Sequence, residues 1–253
     1  MKLNYRQIGV GKPILILHGL FGMSDNWQSF AKQLEANNFS IYQVDLRNHG
    51  QSPHDTVHTY PAMASDVAEL INDLSLDHPV VLGHSMGGKV AMQLQIDYPE
   101  LISKLIVVDI APYNYPIHHR EILDALLSVN LKEVKTRGEA EKILSNKIED
   151  TGTRQFLLKN LYWITPEKLA WRFNLQVLNA EIEEVGNSTW PSVPSNIDVL
   201  FVRGDNSGYI DTTRYNEIKQ WYPHAKFVTI PNAGHWVQAE QPKLLLEAIL
   251  EFV

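Results

Sequence analysis

Residues 83–87 have the sequence Gly-His-Ser-Met-Gly, which could place the hydroxyl of Ser85 at a tight turn. An apolar run at 79–82 precedes them, and 89–98 follow with the spacing of a helix. A strand, a sharp turn and a helix in this order expose the serine, and the flanking glycines let the two backbones approach closely. The pattern therefore predicts a serine nucleophile. A glycine-rich surface turn with an incidental serine is the alternative.

A nucleophilic serine needs a general base and a carboxylate that orients this base. The chain has ten histidines. We predict His235 as the base, because it follows Gly234 in a loop after the last predicted strand and could reach over the carboxyl edge of the sheet. His84 is tied too closely to the serine turn. His18 is expected to brace its loop, and His49 to be part of a polar scaffold.

The nucleophile also needs backbone donors for the oxyanion that forms on attack. His18 and Gly19 follow a buried-strand run at 13–17, and a His-Gly loop in this place can present an N–H group at the end of the strand. The residue after the nucleophile supplies the second donor at a helix N-terminus. We therefore predict the N–H groups of Leu20 and Met86 as the oxyanion hole.

The rest of the sequence supplies the elements that must position these residues. Strand patterns occur at 39–44, 105–110, 197–204 and 225–230, and helical patterns at 25–36, 60–74, 211–221 and 242–252. This alternation predicts an α/β fold with a mostly parallel sheet flanked by helices.

The alternation stops after Pro112 and resumes near residue 197. Helical patterns follow one another there, at 120–129, 137–148, 154–162 and 175–185. We therefore predict a hydrolase core at 1–113 and 196–253, with a helical cap inserted at 114–195.

Aromatic side chains in and around this cap are candidate substrate contacts, because ligand pockets are mostly apolar concavities. The alternative is that they form the core of the cap. The predicted substrate-binding residues are Phe21, Tyr113, Trp163, Trp171, Phe173 and Trp236.

Composition restricts the class of partner. The 253-residue chain has a formal net charge of −7, which argues against binding to nucleic acid or to a membrane surface. It has no cysteine, so disulfides and cysteine nucleophiles are excluded. No long apolar segment resembles a signal peptide or a membrane span. We expect a cytoplasmic protein, monomeric or a small homo-oligomer, that acts on a small molecule.

Four segments together resemble the α/β-hydrolase superfamily, over nearly the whole chain. They are Gly83-His84-Ser85-Met86-Gly87-Gly88-Lys89, Asp45-Leu46-Arg47-Asn48-His49-Gly50, Val108-Asp109-Ile110-Ala111-Pro112 and Asn232-Ala233-Gly234-His235-Trp236. They are similar to small bacterial esterases of the YbfF type and their eukaryotic abhydrolase-domain relatives. The resemblance implies hydrolysis of short- to medium-chain acyl esters, extending to acyl-CoA thioesters, without a metal or an organic cofactor. A non-catalytic ligand-binding protein, a haloperoxidase and a carbon–carbon hydrolase are the alternatives.

The carboxylate of the expected triad departs from the superfamily pattern. The usual acid follows the strand after the cap, in a Gly-x-x-Asp arrangement, but Ser207 occupies that place here. Asp205 lies two residues earlier, and such a shift re-aims a side chain in a turn. We therefore prefer Asp109, after the preceding core strand, as the resemblance to YbfF also implies. Asp205 is the alternative.

Overall fold

The computed structural model describes residues 1–117 and 119–253. The strands are β1 (Tyr5–Ile8), β2 (Lys12–Leu17), β3 (Phe39–Val44), β4 (Val80–His84), β5 (Lys104–Val108), β6 (Leu161–Thr165), β7 (Lys168–Trp171), β8 (Asp198–Gly204) and β9 (Ala225–Ile230). Seven of them form one sheet in the order β1-β3-β2-β4-β5-β8-β9. Within this sheet, as far as the described residues show, β1 pairs with β3 in antiparallel fashion and all other neighbours are parallel.

The α-helices are α1 (Gln28–Glu35), α2 (Tyr60–Asp73), α3 (Met86–Asp97), α4 (Arg120–Leu127), α5 (Arg137–Leu144), α6 (Thr151–Leu158), α7 (Leu175–Ala180), α8 (Ile182–Gly186), α9 (Tyr215–Trp221), α10 (Val237–Glu240) and α11 (Pro242–Phe252). Short 3₁₀ turns at Ser24–Trp27 and Thr212–Arg214 precede α1 and α9.

The sheet has a separate apolar core on each face, because successive side chains of a strand point to opposite sides. In β2, Ile14 and Ile16 belong to the cluster that packs under α1 and α11. Leu15 and Leu17 belong to the cluster shared with α2, α3 and α9. Burial on both faces explains why the central strands are continuous apolar runs.

The predicted fold class is confirmed. Three predicted elements have the bounds that the structure shows, namely Phe39–Val44, Ala225–Ile230 and Pro242–Phe252. The helical patterns at 25–36 and 211–221 each begin with a 3₁₀ turn before the α-helix.

The segment between β5 and β8 differs from the prediction of helices alone. Helix α6 ends at Leu158, and β6 and β7 form an antiparallel hairpin, so the helix predicted at 154–162 is too long. Residues 161–165 are rich in aromatic and β-branched side chains, which favour an extended backbone, and Pro166 follows in the turn. The helix predicted at 175–185 is divided into α7 and α8 at Glu181. The division into core and cap stays a prediction.

Within the described residues, no helix has both the length and the apolar character needed to cross a membrane.

The connection from β4 to α3 depends on close contact between backbones. A Cβ atom on Gly83 would collide with the backbone of Gly87, and one on Gly87 would collide with carbonyl groups of β2 and the loop that follows it. Only a residue without a side chain fits at either position.

We expect Gly83→Ala to lower the free energy of unfolding by about 2 kcal/mol or more, because backbone atoms must move to admit the methyl group. Thermal and urea unfolding followed by circular dichroism would measure this. Gly138→Ala is the control, since its Cβ would meet nothing closer than Thr136 Oγ1 at 3.9 Å. Gly138→Ala should raise the free energy of unfolding, by no more than about 1 kcal/mol. Equal stability of Gly83→Ala and the parent protein would contradict the packing argument.

Candidate active site

Ser85 lies at the junction of β4 and α3, with a φ of 53° that is uncommon for a residue with a side chain. Its N–H donates to the carbonyl of Val108 at the end of β5, at 3.0 Å. Its carbonyl accepts from Gly88 N–H at 2.9 Å in the first turn of α3. These backbone bonds hold the strained turn and leave the hydroxyl at the carboxyl edge of the sheet, where sequence analysis placed it.

His235 reaches Ser85 from the loop after β9. Its Nε2 lies 3.0 Å from Ser85 Oγ, and its Nδ1 lies 2.7 Å from Asp109 Oδ2. A carboxylate only accepts, so Nδ1 carries the proton and Nε2 presents its lone pair to the serine hydroxyl. This is the tautomer in which an imidazole could accept a proton from Ser85.

Asp109 is fully buried and follows β5 with a φ of 53°. Its Oδ1 accepts from Gly204 N–H at 2.9 Å, while Oδ2 accepts from the Ser207 hydroxyl as well as from His235. Its own N–H donates to Val202 in β8 at 2.7 Å. The carboxylate is therefore fixed from three directions and oriented towards the imidazole.

The alternative acid, Asp205, points away from this cluster. Its side chain is 58% exposed, and its closest cation is Arg203, at 4.0 Å. Ser207, at the usual position of the acid, instead donates a hydrogen bond to Asp109. The structure thus brings Asp109 to His235 and leaves Asp205 in solvent.

Leu20 and Met86, which carry the predicted oxyanion donors, both line space beside Ser85. Within the described residues, neither the Leu20 N–H nor the Met86 N–H has an acceptor. The loop that carries Leu20 is fixed at Phe21, which has a φ of 59°. The Phe21 N–H donates to His49 Nε2 at 3.2 Å, and its carbonyl accepts from Asn160 Nδ2 at 2.8 Å.

Two buried imidazoles brace this loop. His18 donates from Nδ1 to Gly19 C=O at 2.8 Å and accepts at Nε2 from Leu46 N–H at 3.0 Å. His49 donates from Nδ1 to Arg47 C=O at 3.0 Å. Burial lowers the pKa of both histidines, so both are neutral at neutral pH and their acceptor nitrogens stay available. Both therefore hold backbone rather than contact the reacting hydroxyl.

His84 connects the serine turn to the His235 loop. Its Nε2 donates to the carbonyl of His235 at 2.8 Å, and the two rings lie 4.7 Å apart. Burial, and then the neighbouring His235, lower the pKa of His84 to about 3, so it is neutral. Glu240 holds the other side of the loop, by accepting from Gly234 N–H at 2.6 Å.

A cavity of about 260 Å³ opens beside Ser85 and His235. Its walls are mainly apolar and combine core residues with residues of α4 and α6. They include Leu20, Phe21, Trp27, Ile122, Phe156, Leu157, Tyr209 and Trp236. A smaller space of about 30 Å³ lies against Ser85 and is bordered by Met86, Lys89, Tyr115 and Tyr209.

Two of the six predicted substrate contacts, Phe21 and Trp236, line the larger cavity. Trp171 and Phe173 are buried and stacked on each other at 5.3 Å, and Phe173 packs behind Phe21. Neither lines the cavity.

The other two predicted contacts lie elsewhere. Tyr113 is buried under the guanidinium of Arg214, 3.5 Å from its ring centroid. Trp163 is 50% exposed on the β6–β7 hairpin. Neither borders the cavity, since Tyr113 lies under Arg214 and Trp163 lies on the exposed hairpin.

Sequence analysis did not select several residues that the structure places at the site. Tyr209 stacks on His235 with ring centroids 4.1 Å apart, and Phe156 meets the Trp236 ring edge-on at 4.2 Å. Phe156 lies on a helix that was predicted to be amphipathic, so the apolar face of this helix could have identified Phe156 as a candidate site residue. Tyr209 lies in a loop with no motif, and nothing in the sequence indicated its position.

In residues 1–117 and 119–253, no three His, Asp or Glu side chains are grouped so that they could hold a metal ion. The chemistry described below uses only groups of the protein and water.

Similarity to known proteins agrees with the fold. Residues 12–242 match the α/β hydrolase fold family, and the chain belongs to that family of hydrolases. It is 37% identical to esterase YbfF of Escherichia coli (strain K12), over 100% of this chain and 99% of that protein. It is 36% identical to the sn-1-specific diacylglycerol lipase ABHD11 of Mus musculus, over 95% of this chain and 80% of that protein.

A solved structure of a marine microorganism esterase superposes with a TM-score of 0.96 at 40% identity, covering 100% of this chain and 99% of that one. The family and fold predicted from the sequence are thereby confirmed.

Asp109 contacts His235 and Asp205 is exposed, so replacing each carboxylate by its amide should have different effects on kcat. Asp109→Asn should lower kcat on an activated aryl ester by about 10⁴-fold, because the amide cannot fix the same tautomer or stabilise an imidazolium. Asparagine tolerates a positive φ, so the backbone should persist. Asp205→Asn, at an exposed site, is the matched control and should keep kcat within about threefold.

Stopped-flow or steady-state hydrolysis would give kcat for both variants, with far-UV circular dichroism to check folding. A large loss in Asp205→Asn together with a mild one in Asp109→Asn would reverse the assignment.

Proposed function

We propose that this protein hydrolyses esters of short- to medium-chain carboxylic acids through a covalent acyl-enzyme on Ser85. The observation that carries the proposal is the continuous hydrogen-bonded chain from Ser85 Oγ through His235 to Asp109, beside an apolar cavity. An activated hydroxyl beside an apolar wall suits an acyl group whose chain is apolar and whose carbonyl is electrophilic.

In the first step, Ser85 Oγ attacks the carbonyl carbon while His235 Nε2 accepts the hydroxyl proton. The carbonyl oxygen gains the negative charge, which the Leu20 and Met86 N–H groups stabilise. Asp109 stabilises the imidazolium through Nδ1–H. The tetrahedral intermediate then collapses, the bond to the leaving oxygen breaks, and His235 returns its proton to that oxygen. The alcohol leaves and the acyl group stays on Ser85.

In the second step, water takes the place of the alcohol. His235 Nε2 accepts a proton from this water, whose oxygen attacks the acyl carbon, and the same two N–H groups stabilise the oxyanion. The intermediate collapses with loss of Ser85 Oγ, which recovers the proton from His235. The acid leaves and the serine is regenerated, so the cycle consumes one ester and one water.

The relatives support the reaction class more strongly than any one substrate. Two are named esterases and one a diacylglycerol lipase, and all have substrates with an acyl–oxygen bond. A thioester has the same electrophilic carbonyl and a better leaving group, so acyl-CoA thioesters belong to the proposed range.

We also propose that residues 114–195 act as the cap that selects the acyl chain. The support comes from the cavity wall, to which this segment contributes Ile122, Thr153, Phe156 and Leu157. The reacting groups all lie outside it, on loops that follow β2, β4, β5 and β9. A change in the cap wall should therefore alter chain preference more than the chemical step.

Ser85→Ala tests the reaction class. It should reduce hydrolysis of p-nitrophenyl acetate, butyrate and octanoate, and of acetyl-CoA, by about 10⁶-fold in kcat, as happens when a triad loses its nucleophile. Intact-protein mass spectrometry should detect an acyl adduct on the parent protein after rapid quenching, and none on the variant. Near-parental turnover by a pure Ser85→Ala preparation would refute a serine mechanism, while tight ligand binding without turnover by the parent would favour a binding protein.

Phe156→Ala tests the wall. Its side chain packs against Trp236 in the cavity, so truncation should shift the octanoate-to-acetate ratio of kcat/KM by about tenfold, the value of a few methylene contacts. Trp163→Ala removes a larger aromatic side chain that does not line the cavity and is the control. An unchanged ratio in Phe156→Ala, or an equal shift in both variants, would show that this wall does not select the chain.

A further inference from the structure

Lys89 is a buried cation one helical turn after Ser85 in α3, and only 1% of its surface is exposed. Its ammonium donates to Tyr113 C=O at 2.8 Å, to Gly186 C=O at 3.1 Å and to Asn187 C=O. A lysine ammonium has three N–H donors, so every donor has a backbone acceptor. All three hydrogen-bond donors of the Lys89 side chain therefore bind backbone carbonyls.

Burying an ammonium group is costly, and burial lowers the pKa of Lys89 to about 7. The charge is met by the carbonyl oxygens and by the ring faces of Tyr115 and Tyr60, whose centroids lie 4.8 and 5.7 Å from Nζ. An apolar side chain of similar length would fill this space without the desolvation cost. The contacts that Lys89 makes therefore need an explanation beyond packing.

The three carbonyls belong to two stretches that lead into and out of the segment between β5 and β8. We call these stretches, residues 112–115 and 186–189, the neck. They bond to each other, since Tyr115 N–H donates to Gly186 C=O at 2.8 Å and Thr189 N–H donates to Pro112 C=O at 3.1 Å. Lys89 bonds to both stretches at once and joins them to the helix behind Ser85.

The neck is also connected to the imidazole of His235. The Tyr115 hydroxyl donates to Tyr209 C=O at 2.6 Å, and the Tyr209 ring stacks on His235. Lys89, Tyr115 and Tyr209 border the small space against Ser85. A shift of the neck would therefore move the walls that a bound substrate meets, while Ser85 and Asp109 stay anchored in the sheet.

We propose that Lys89 is a positioning residue that fastens the neck to the nucleophile helix and thereby determines how well substrate is bound. This inference rests on the proposed ester hydrolysis for its kinetic part only. Lys89 does not touch the reacting atoms, because its three donors are all directed at the neck. Its removal should act on KM and leave the acylation chemistry largely intact.

The test is Lys89→Met, which keeps length and removes the donors. KM for p-nitrophenyl butyrate and octanoate should rise about tenfold or more, the factor expected for losing hydrogen bonds to a charged group, with kcat within about threefold. Hydrogen exchange followed by mass spectrometry should become faster in peptides that cover 112–115 and 186–189, and stay unchanged in β4 and β5.

Lys104→Met is the matched control. Lys104 Nζ also donates to a backbone carbonyl, of Phe252, and lies over an aromatic ring, 4.8 Å from the Phe252 centroid, but far from the neck in the fold. It should change neither KM nor exchange in the neck.

If Lys89→Met does not fold, Tyr60→Phe replaces it, because it removes only the bond from Tyr60 Oη to Val185 C=O beside the neck. Its KM and neck exchange should rise in the same direction by a smaller factor.

Unchanged neck exchange in Lys89→Met, faster exchange throughout the sheet, or a fall in kcat without a rise in KM would each overturn the inference. So would faster neck exchange with unchanged KM. If the parent protein and Lys104→Met both lacked esterase activity, the proposed function would fail instead, and neck exchange would still decide whether Lys89 fastens these stretches.

Discussion

The site depends on two residues held at the same uncommon positive φ at the ends of neighbouring strands. Ser85 and Asp109 both have a φ of 53°, and each donates its N–H to a carbonyl of the next strand in the sheet. Such strain persists only where the surroundings fix it. Here the neighbouring parallel strands accept the hydrogen bonds that fix both residues. The spacing of the strands also sets the distance between the two side chains. One imidazole from a third loop is then enough to connect hydroxyl and carboxylate.

The loops around this pair are held by polar groups other than the reacting ones. His18, His49 and His84 are neutral because they are buried, and each uses a ring nitrogen to hold a backbone group near the site. A protonated imidazole could not accept at Nε2, so in His18 and His49 burial and the bracing role depend on each other. Asn160 adds a bond from the segment between β5 and β8 to the loop of Leu20.

The sequence was most informative where local patterns carry the constraint. Residues 83–87 and 232–236 predicted where Ser85 and His235 lie, because tight turns after buried strands require particular residue types. The preference for Asp109 over Asp205 came from the two-residue shift of Asp205 and from the resemblance, whereas the orientation of the two side chains is seen only in the structure. The β6–β7 hairpin was missed because the helical pattern predicted at 154–162 ran past the end of α6 into the first residues of β6. The position of Tyr209 over His235 depends on how a loop folds back, and no motif marks it.

The reacting residues and the cavity wall are held in place by different numbers and kinds of hydrogen bonds. Ser85 and Asp109 are fixed by the ladder of the sheet, which every parallel strand supports. Part of the cavity wall comes from a segment whose neck is fastened by a few hydrogen bonds, three of them from one lysine. A cooperative ladder resists single substitutions better than a small set of bonds that share one donor group. Under the proposed function, changes in this segment would therefore alter which acyl chain fits while the geometry of attack is retained, and Lys89 is the point at which the two parts meet.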